Sequence, residues 1–182
     1  MTLEDVKHKK LEKPETEEAL LDETLLVDTF NTYYHKVFYY FLCHIHHQEQ
    51  AQDLTGEVFC KVAAAWPSYD PSKGTLSTWI FTIARNQLSD HWRKKRPIQV
   101  ELHDIPDGTD LAEHTAKEES KKMLYEALAT LPEREREILS LKYSAGLKNT
   151  EIAALTNLTS VNVGVILFRS IKKLRKKLSN LL

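Results

Sequence analysis

Glycine and cysteine are scarce in this sequence, and their scarcity removes whole classes of chemistry. Only five glycines occur in 182 residues, and no G-x-x-x-x-G-K-[ST], G-x-G-x-x-G or H-E-x-x-H spacing is present. The phosphate-cradling, dinucleotide-binding and zinc-protease signatures are therefore missing. The two cysteines, Cys43 and Cys60, form neither a CxxC pair nor a disulfide framework and read as reduced core residues. No apolar run approaches the roughly 20 residues a membrane span requires, and the opening stretch MTLEDVKHKKLEK has no signal-peptide core. The expectation is a cytoplasmic protein without a cofactor, and the carboxylates are scattered along helix surfaces rather than gathered into a catalytic cluster.

A net charge of −1 conceals strong segmentation. Residues 1–30 carry −5, residues 31–96 carry +3, residues 97–116 carry −5 and residues 117–182 carry +6. Two basic modules joined by an acidic connector containing Pro97, Pro106 and Gly108 fit two polyanion-binding domains on a tether. Charge runs are also the ordinary surface of solvated helices, so the motifs must decide.

Helical periodicity dominates, and strand signals are weak. Leu26, Phe30, Tyr33, Tyr34, Val37, Phe41 and Ile45 recur at three- and four-residue spacings, the stripe of an amphipathic helix. A second helix follows, with Leu54, Val58, Val62 and Trp66 on one face and Pro67 as its stop. The segment SYDPSKGTLS reads as a loop, and the helix after it ends at Pro97. Along this third helix, Trp79, Ile80, Ile83, Ala84 and Leu88 give way to Asn86, Asp90, His91, Arg93, Lys94, Lys95 and Arg96. A basic helix end binds phosphate by charge neutralisation, and Trp79 and Trp92 offer faces on which unstacked bases can lie. The competing account makes both tryptophans core residues and the cations partners of the helix dipole.

The last third is more specific. Thr130 and Glu133 suit a capped start for EREREILSLKYSA, with Gly146 at its C-terminal cap. A short helix, TEIAAL, and a tight turn, TNLTS, precede VNVGVILFRSIKKLRKKL, whose N-cap is Thr159. This is helix-turn-helix spacing. Val163, Leu167, Ile171, Leu174 and Leu178 make a buried stripe, and six cations with no acid occupy residues 169–182. The N-terminal part of the second helix of such a motif enters the major groove, while trailing cations suit phosphates. A helical hairpin with a basic, solvated tail is the alternative.

The order of these parts resembles the ECF (extracytoplasmic function) branch of the sigma-70 family. DLTGEVFCKV is similar to the family's polymerase-binding helix, YDPSKGTLSTWIFTIARNQLSDHWRKK to its promoter-melting segment, and LPEREREILSLKYSAGLKNTEIAALTNLTSVNVGVILFRSIKKLRKKL to its closing helix-turn-helix. The resemblance implies an all-α protein of two small helical domains joined by a flexible linker. The divisions are a charged arm over 1–24, a region 2 domain over 25–97, an acidic linker over 98–117 and a region 4 domain over 118–182. It further implies a non-catalytic factor whose partners are core RNA polymerase, promoter DNA and, as in many family members, an anti-sigma factor. A freestanding helix-turn-helix regulator is the alternative function.

By the same resemblance, Asp53, Leu54, Glu57, Val58 and Phe59 would face the polymerase clamp. Trp79, Asn86, Asp90, Arg93, Lys94, Lys95 and Arg96 would serve the unpaired −10 strand. Asn149, Thr159, Ser160, Asn162 and Val163 would meet the −35 duplex, with Arg169, Lys172 and Lys173 on its phosphates. Four positions depart from the family's habit: Gly56 stands for glutamine, Asn157 for the turn glycine, and Gly164 and Ile166 for cations in the recognition helix. Cys43, His44, His46 and His47 are also spaced so that a soft metal is conceivable, although a helix C-terminal dipole equally accounts for clustered histidines.

Overall fold

A computed structural model describes residues 17–94 and 114–179 of the chain. They form seven α-helices, and no strand occurs among the described residues. The helices are α1 (Glu17–Ile45), α2 (Gln48–Ala65), α3 (Leu76–Lys94), α4 (His114–Ala129), α5 (Glu133–Tyr143), α6 (Asn149–Thr156) and α7 (Ser160–Leu178). Lys95, Arg96, the acidic connector as far as 113 and the arm as far as 16 lie outside the described residues.

The first three helices build one module. Val37, Phe41 and Ile45 of α1 are buried as the periodicity predicts, and α2 answers with Ala51, Leu54, Val58, Phe59 and Val62. Phe30 stays partly exposed, yet its ring meets Phe59 at 4.9 Å and Tyr34 at 5.0 Å. Between α1 and α2 the chain reverses at His46, a non-glycine residue at φ 55, and the His47 ring accepts a bond from Gln50 N at 3.4 Å to cap α2. After α2 a 3-10 turn over Trp66–Ser68 carries Pro67, followed by an Asx turn in which Asp70 accepts from Ser72 N at 2.9 Å. Those bonds to Ser72 hold the Asp70 carboxyl below its ordinary range. Thr75 Oγ1 then accepts from Thr78 N at 3.3 Å and caps α3, which buries Ile80, Phe81, Ala84 and Leu88.

The remaining four helices build the second module. Thr130 does not start α5 as expected: its hydroxyl donates back to Ala127 O at 2.7 Å and closes α4, while Pro132 caps α5 without a side-chain bond. The geometry explains the exchange, because Pro132 has no N–H and its fixed φ opens a helix unaided. Gly146 adopts φ 75 beyond the end of α5, and Leu147 N bonds back to Leu141 O at 3.1 Å, the left-handed closure the sequence predicts. Asn157, at φ 56, makes the turn after α6 in the conformation usually reserved for glycine. Thr159 caps α7 by accepting from Asn162 N at 3.2 Å.

The two modules share one continuous core. From Tyr40 to Ile45, α1 is buried all round because α2 covers one side and α5 the other. Arg136 bonds to His46 Nε2 at 3.0 Å, Arg85 to Glu137 at 2.7 Å, and Glu151 accepts from Thr75 at 2.8 Å across the seam. A cleft of about 540 Å³ opens along the seam between Tyr39, Cys43, Leu128, Leu139, Tyr143 and Leu174.

Candidate nucleic-acid interface

The basic end of α3 is a surface. Asn86, Arg93 and Lys94 are exposed, and Arg93 pairs with Asp90 at 2.8 Å one turn earlier, on a face that stays open. Trp79 is half-buried among Trp66 at 6.2 Å and Tyr69 at 5.1 Å, a three-ring wall at the start of the helix. Trp92 is half-buried against His91. Each ring packs on the module and stays partly exposed. Lys95 and Arg96 lie outside the described residues.

The α2 face divides differently from expectation. Asp53 and Glu57 are exposed, but Leu54, Val58 and Phe59 are core residues, with Val58 fully buried. In this arrangement those three side chains pack in the module's core, and Asp53 and Glu57 form the exposed part of the face. Glu57 accepts from Gln87 Nε2, and Lys61 donates to Gln87 Oε1, a chain tying α2 to α3.

In the second module the axes of α6 and α7 turn by 102°, within the range of a helix-turn-helix. Ser160, Asn162, Arg169 and Lys172 are exposed on α7, Thr159 is exposed at its cap, and Asn149 is half-buried beside Gly164. Val163 is fully buried, and with Leu167 it forms a stripe that faces the module. Lys173 pairs with Glu135 of α5 at 2.6 Å, which anchors the helix as well as carrying charge.

The cysteine–histidine cluster does not converge. Among the described residues no group of three metal-ligating side chains comes together. His44 Nδ1 bonds to Tyr40 O at 2.7 Å, His46 meets Arg136, and His47 caps α2. Burial pushes the Cys43 thiol up to about 11 and holds the His44 ring down at about 4. Burial, then the Arg136 charge, lowers His46 to about 4 as well. Burial of the Arg136 guanidinium lowers its own value. Arg85 and Arg136 escaped sequence reasoning as seam residues, because nothing local marks which cation of a helix will meet the other module.

Residues 29–98 match Sigma-70 region 2, and residues 121–174 match Sigma-70, region 4. The chain belongs to the sigma-70 family. Its similarity to the ECF RNA polymerase sigma factor RpoE of Cereibacter sphaeroides is 33% identity over 134 residues, 72% of each chain. To the ECF RNA polymerase sigma factor SigM of Bacillus subtilis it is 28% over 152 residues, covering 81% of this chain and 91% of the relative. The fold matches the sigma factor RpoE in complex with the anti-sigma factor NepR from Bartonella quintana at a TM-score of 0.62 and 18% identity, covering 90% and 98% of the two chains. It matches CnrH in complex with the cytosolic domain of CnrY at 0.61 and 18%, covering 89% and 90%. This ECF sigma factor accordingly serves transcription initiation, in a family of regulatory, non-catalytic proteins. Among its described residues no single helix is long and apolar enough to cross a membrane.

Proposed function

We propose that this sigma factor acts in the cytoplasm by docking on core RNA polymerase through the exposed Asp53–Glu57 face of α2. It captures the unpaired −10 strand on the loop 69–77 and the exposed side of α3, with Asn86, Asp90, Arg93 and Lys94 in contact. It docks α7 in the major groove of the −35 duplex, where Ser160 and Asn162 meet base edges and Arg169 and Lys172 meet phosphates. The observation that carries this reading is the pairing, in one chain, of a helix-turn-helix with a basic, exposed recognition helix and a separate aromatic-walled helix with a basic end. A freestanding helix-turn-helix regulator would need only residues from 118 onward.

The closed seam bears on how such a factor works. Elements centred at −10 and −35 stand about 85 Å apart at 3.4 Å per base pair. Modules that share a core cannot reach both, so engagement requires the seam to part. The 19 residues 95–113 span at most about 65 Å, enough with the modules' own widths. Core polymerase supplies the open separation, and an anti-sigma factor seated over the apolar seam cleft would preserve the closed one. The test is run-off transcription by core polymerase on a promoter library with and without this protein. Factor-dependent transcripts sharing upstream and downstream elements support the reading, and tight sequence-specific binding by the free chain at physiological salt would refute it.

A further inference from the structure

The exposed pole of α7 is not what a duplex-reading helix of cations and amides would present. Val161 is 73% exposed, Val165 41% and Phe168 71%. Spacings of four and three residues put them within a sector of about 60°, in the first two to three turns of the helix. That sector lies opposite the buried Val163, Leu167 and Ser170, so none of the three serves the core of the module. Large apolar side chains in contiguous exposure call for a partner.

The continuation of the same pole identifies that partner's chemistry. Arg169, Lys172 and Lys176 follow on the exposed side, and α7 contains no acidic residue. An apolar first half running into a cationic second half matches a helix whose start lies among base edges and whose end lies along phosphates. A protein partner matching the three apolar residues would still have to accommodate the cations beside them. In the major groove, donors and acceptors give valine and phenylalanine nothing to bind, and the one apolar group there is the C5-methyl of thymine.

We propose that α7 selects its upstream element through thymine methyl groups, contacted by Val161, Val165 and Phe168. The proposal rests on the reading of α7 as the −35 helix and adds the specificity of that site. It also accounts for Gly164 and Ile166: a helix that reads methyl groups does not need cations in its first turns. Asn162, bordering the stripe, is free to meet adenine, the partner of the thymine being read. The element is therefore built around A·T pairs whose methyl groups line one side of the groove.

The experiment uses the full-length protein with core polymerase. A promoter library randomised in the upstream element is selected by run-off transcription, and the winners are remade with deoxyuridine replacing thymidine in that element alone. This deletes the methyl groups and leaves every hydrogen-bonding edge intact. Burial of one methyl is worth roughly a factor of four, so loss of two lowers initiation about fifteenfold. Phe168→Gln brings the thymidine-to-deoxyuridine ratio toward one, and Phe168→Leu retains much of it. Circular dichroism confirms that both variants fold, as expected for an exposed position. Equal initiation on the two templates overturns the proposal. So does a ratio that Phe168→Gln leaves unchanged while capture of a protein partner is lost, since the stripe then serves that protein. Absence of any factor-dependent transcript defeats the underlying sigma reading instead, and with it this one.

Discussion

The Arg85 guanidinium of α3 donates through Nε to the Glu137 carboxylate of α5 at 2.7 Å and through its terminal nitrogen to the Leu155 carbonyl at the end of α6. One side chain of the region 2 module thus fastens two helices of the region 4 module. Both members of the ion pair are largely shielded, with side chains 29% and 22% exposed, so the pair escapes most of the screening that makes surface pairs weak.

Replacing Arg85 therefore strands a shielded carboxylate and a carbonyl together. Arg85→Ala is expected to destabilise the closed chain by about 1–3 kcal/mol. A double-mutant cycle with Glu137→Gln should return a coupling of about 1 kcal/mol in urea unfolding. Small-angle scattering should show a larger radius for the variant, because the loss falls on the seam and not on either module. An unchanged radius with unchanged stability would mean that the apolar seam alone holds the modules together.

Acid should open the same seam. The His44 and His46 rings sit at about 4 against an ordinary 6.5, so the native chain binds fewer protons than the unfolded chain over that window. Their contribution is complete above pH 6.5 and is lost progressively as pH falls toward 4. For buried His44 the effect at the acid end is on the order of 3 kcal/mol. His46 adds repulsion from Arg136, which it meets at 3.0 Å. Glu151, whose Lys148 backbone, Thr75 and Thr78 bonds hold its carboxyl below the ordinary 4.5, yields only at lower pH. The urea midpoint should thus fall between pH 7 and pH 5, and His44→Phe should flatten the dependence. A midpoint insensitive to pH in that interval would contradict the burial of these rings.

The helices were legible in the sequence because their periods are local, and so were the left-handed closures at Gly146 and Asn157. The seam was not. Tyr40 lies outside the predicted stripe yet is fully buried, its ring 5.6 Å from Phe81 of α3, while α5 packs on α1 as well. Leu54, Val58 and Val163 fall both on a core stripe and on a surface the resemblance assigns to a partner, because a family motif records that a position matters without separating packing from contact. The apolar pole of α7 was visible as letters, but only the orientation of the helix shows which valines face out.

Asp53 separates docking from folding. Asp53→Lys should abolish co-purification with core polymerase while shifting stability by no more than about 0.5 kcal/mol, as for most surface changes. Phe59→Ala, two turns away, should do the reverse: its ring is packed between Phe30 and Tyr34, and truncation costs about 3 kcal/mol through the cavity it leaves. Residual folded Phe59→Ala protein should still bind the polymerase. Undiminished co-purification of Asp53→Lys would remove α2 from the polymerase-binding surface.

Lys94 and Asn162 separate affinity from selection. Lys94 stands exposed at the basic end of α3, where the contact available is to phosphate. Lys94→Ala should weaken open-complex formation on every promoter and lower the salt slope by a little under one, the share of one released counterion on a single strand. Base preferences should not move. Asn162 stands exposed at the start of α7, its backbone N–H already bound to Thr159, which leaves its amide for the groove. A bidentate contact from that amide to adenine is worth about 1–3 kcal/mol against the wrong base. Asn162→Ala should therefore relax one upstream position by roughly tenfold while leaving the salt slope intact. Transcription of a promoter library by the two variants reads both outcomes at once. If Asn162→Ala flattens no upstream preference, α7 selects through its apolar pole alone, and the deoxyuridine templates should then account for all the upstream selectivity.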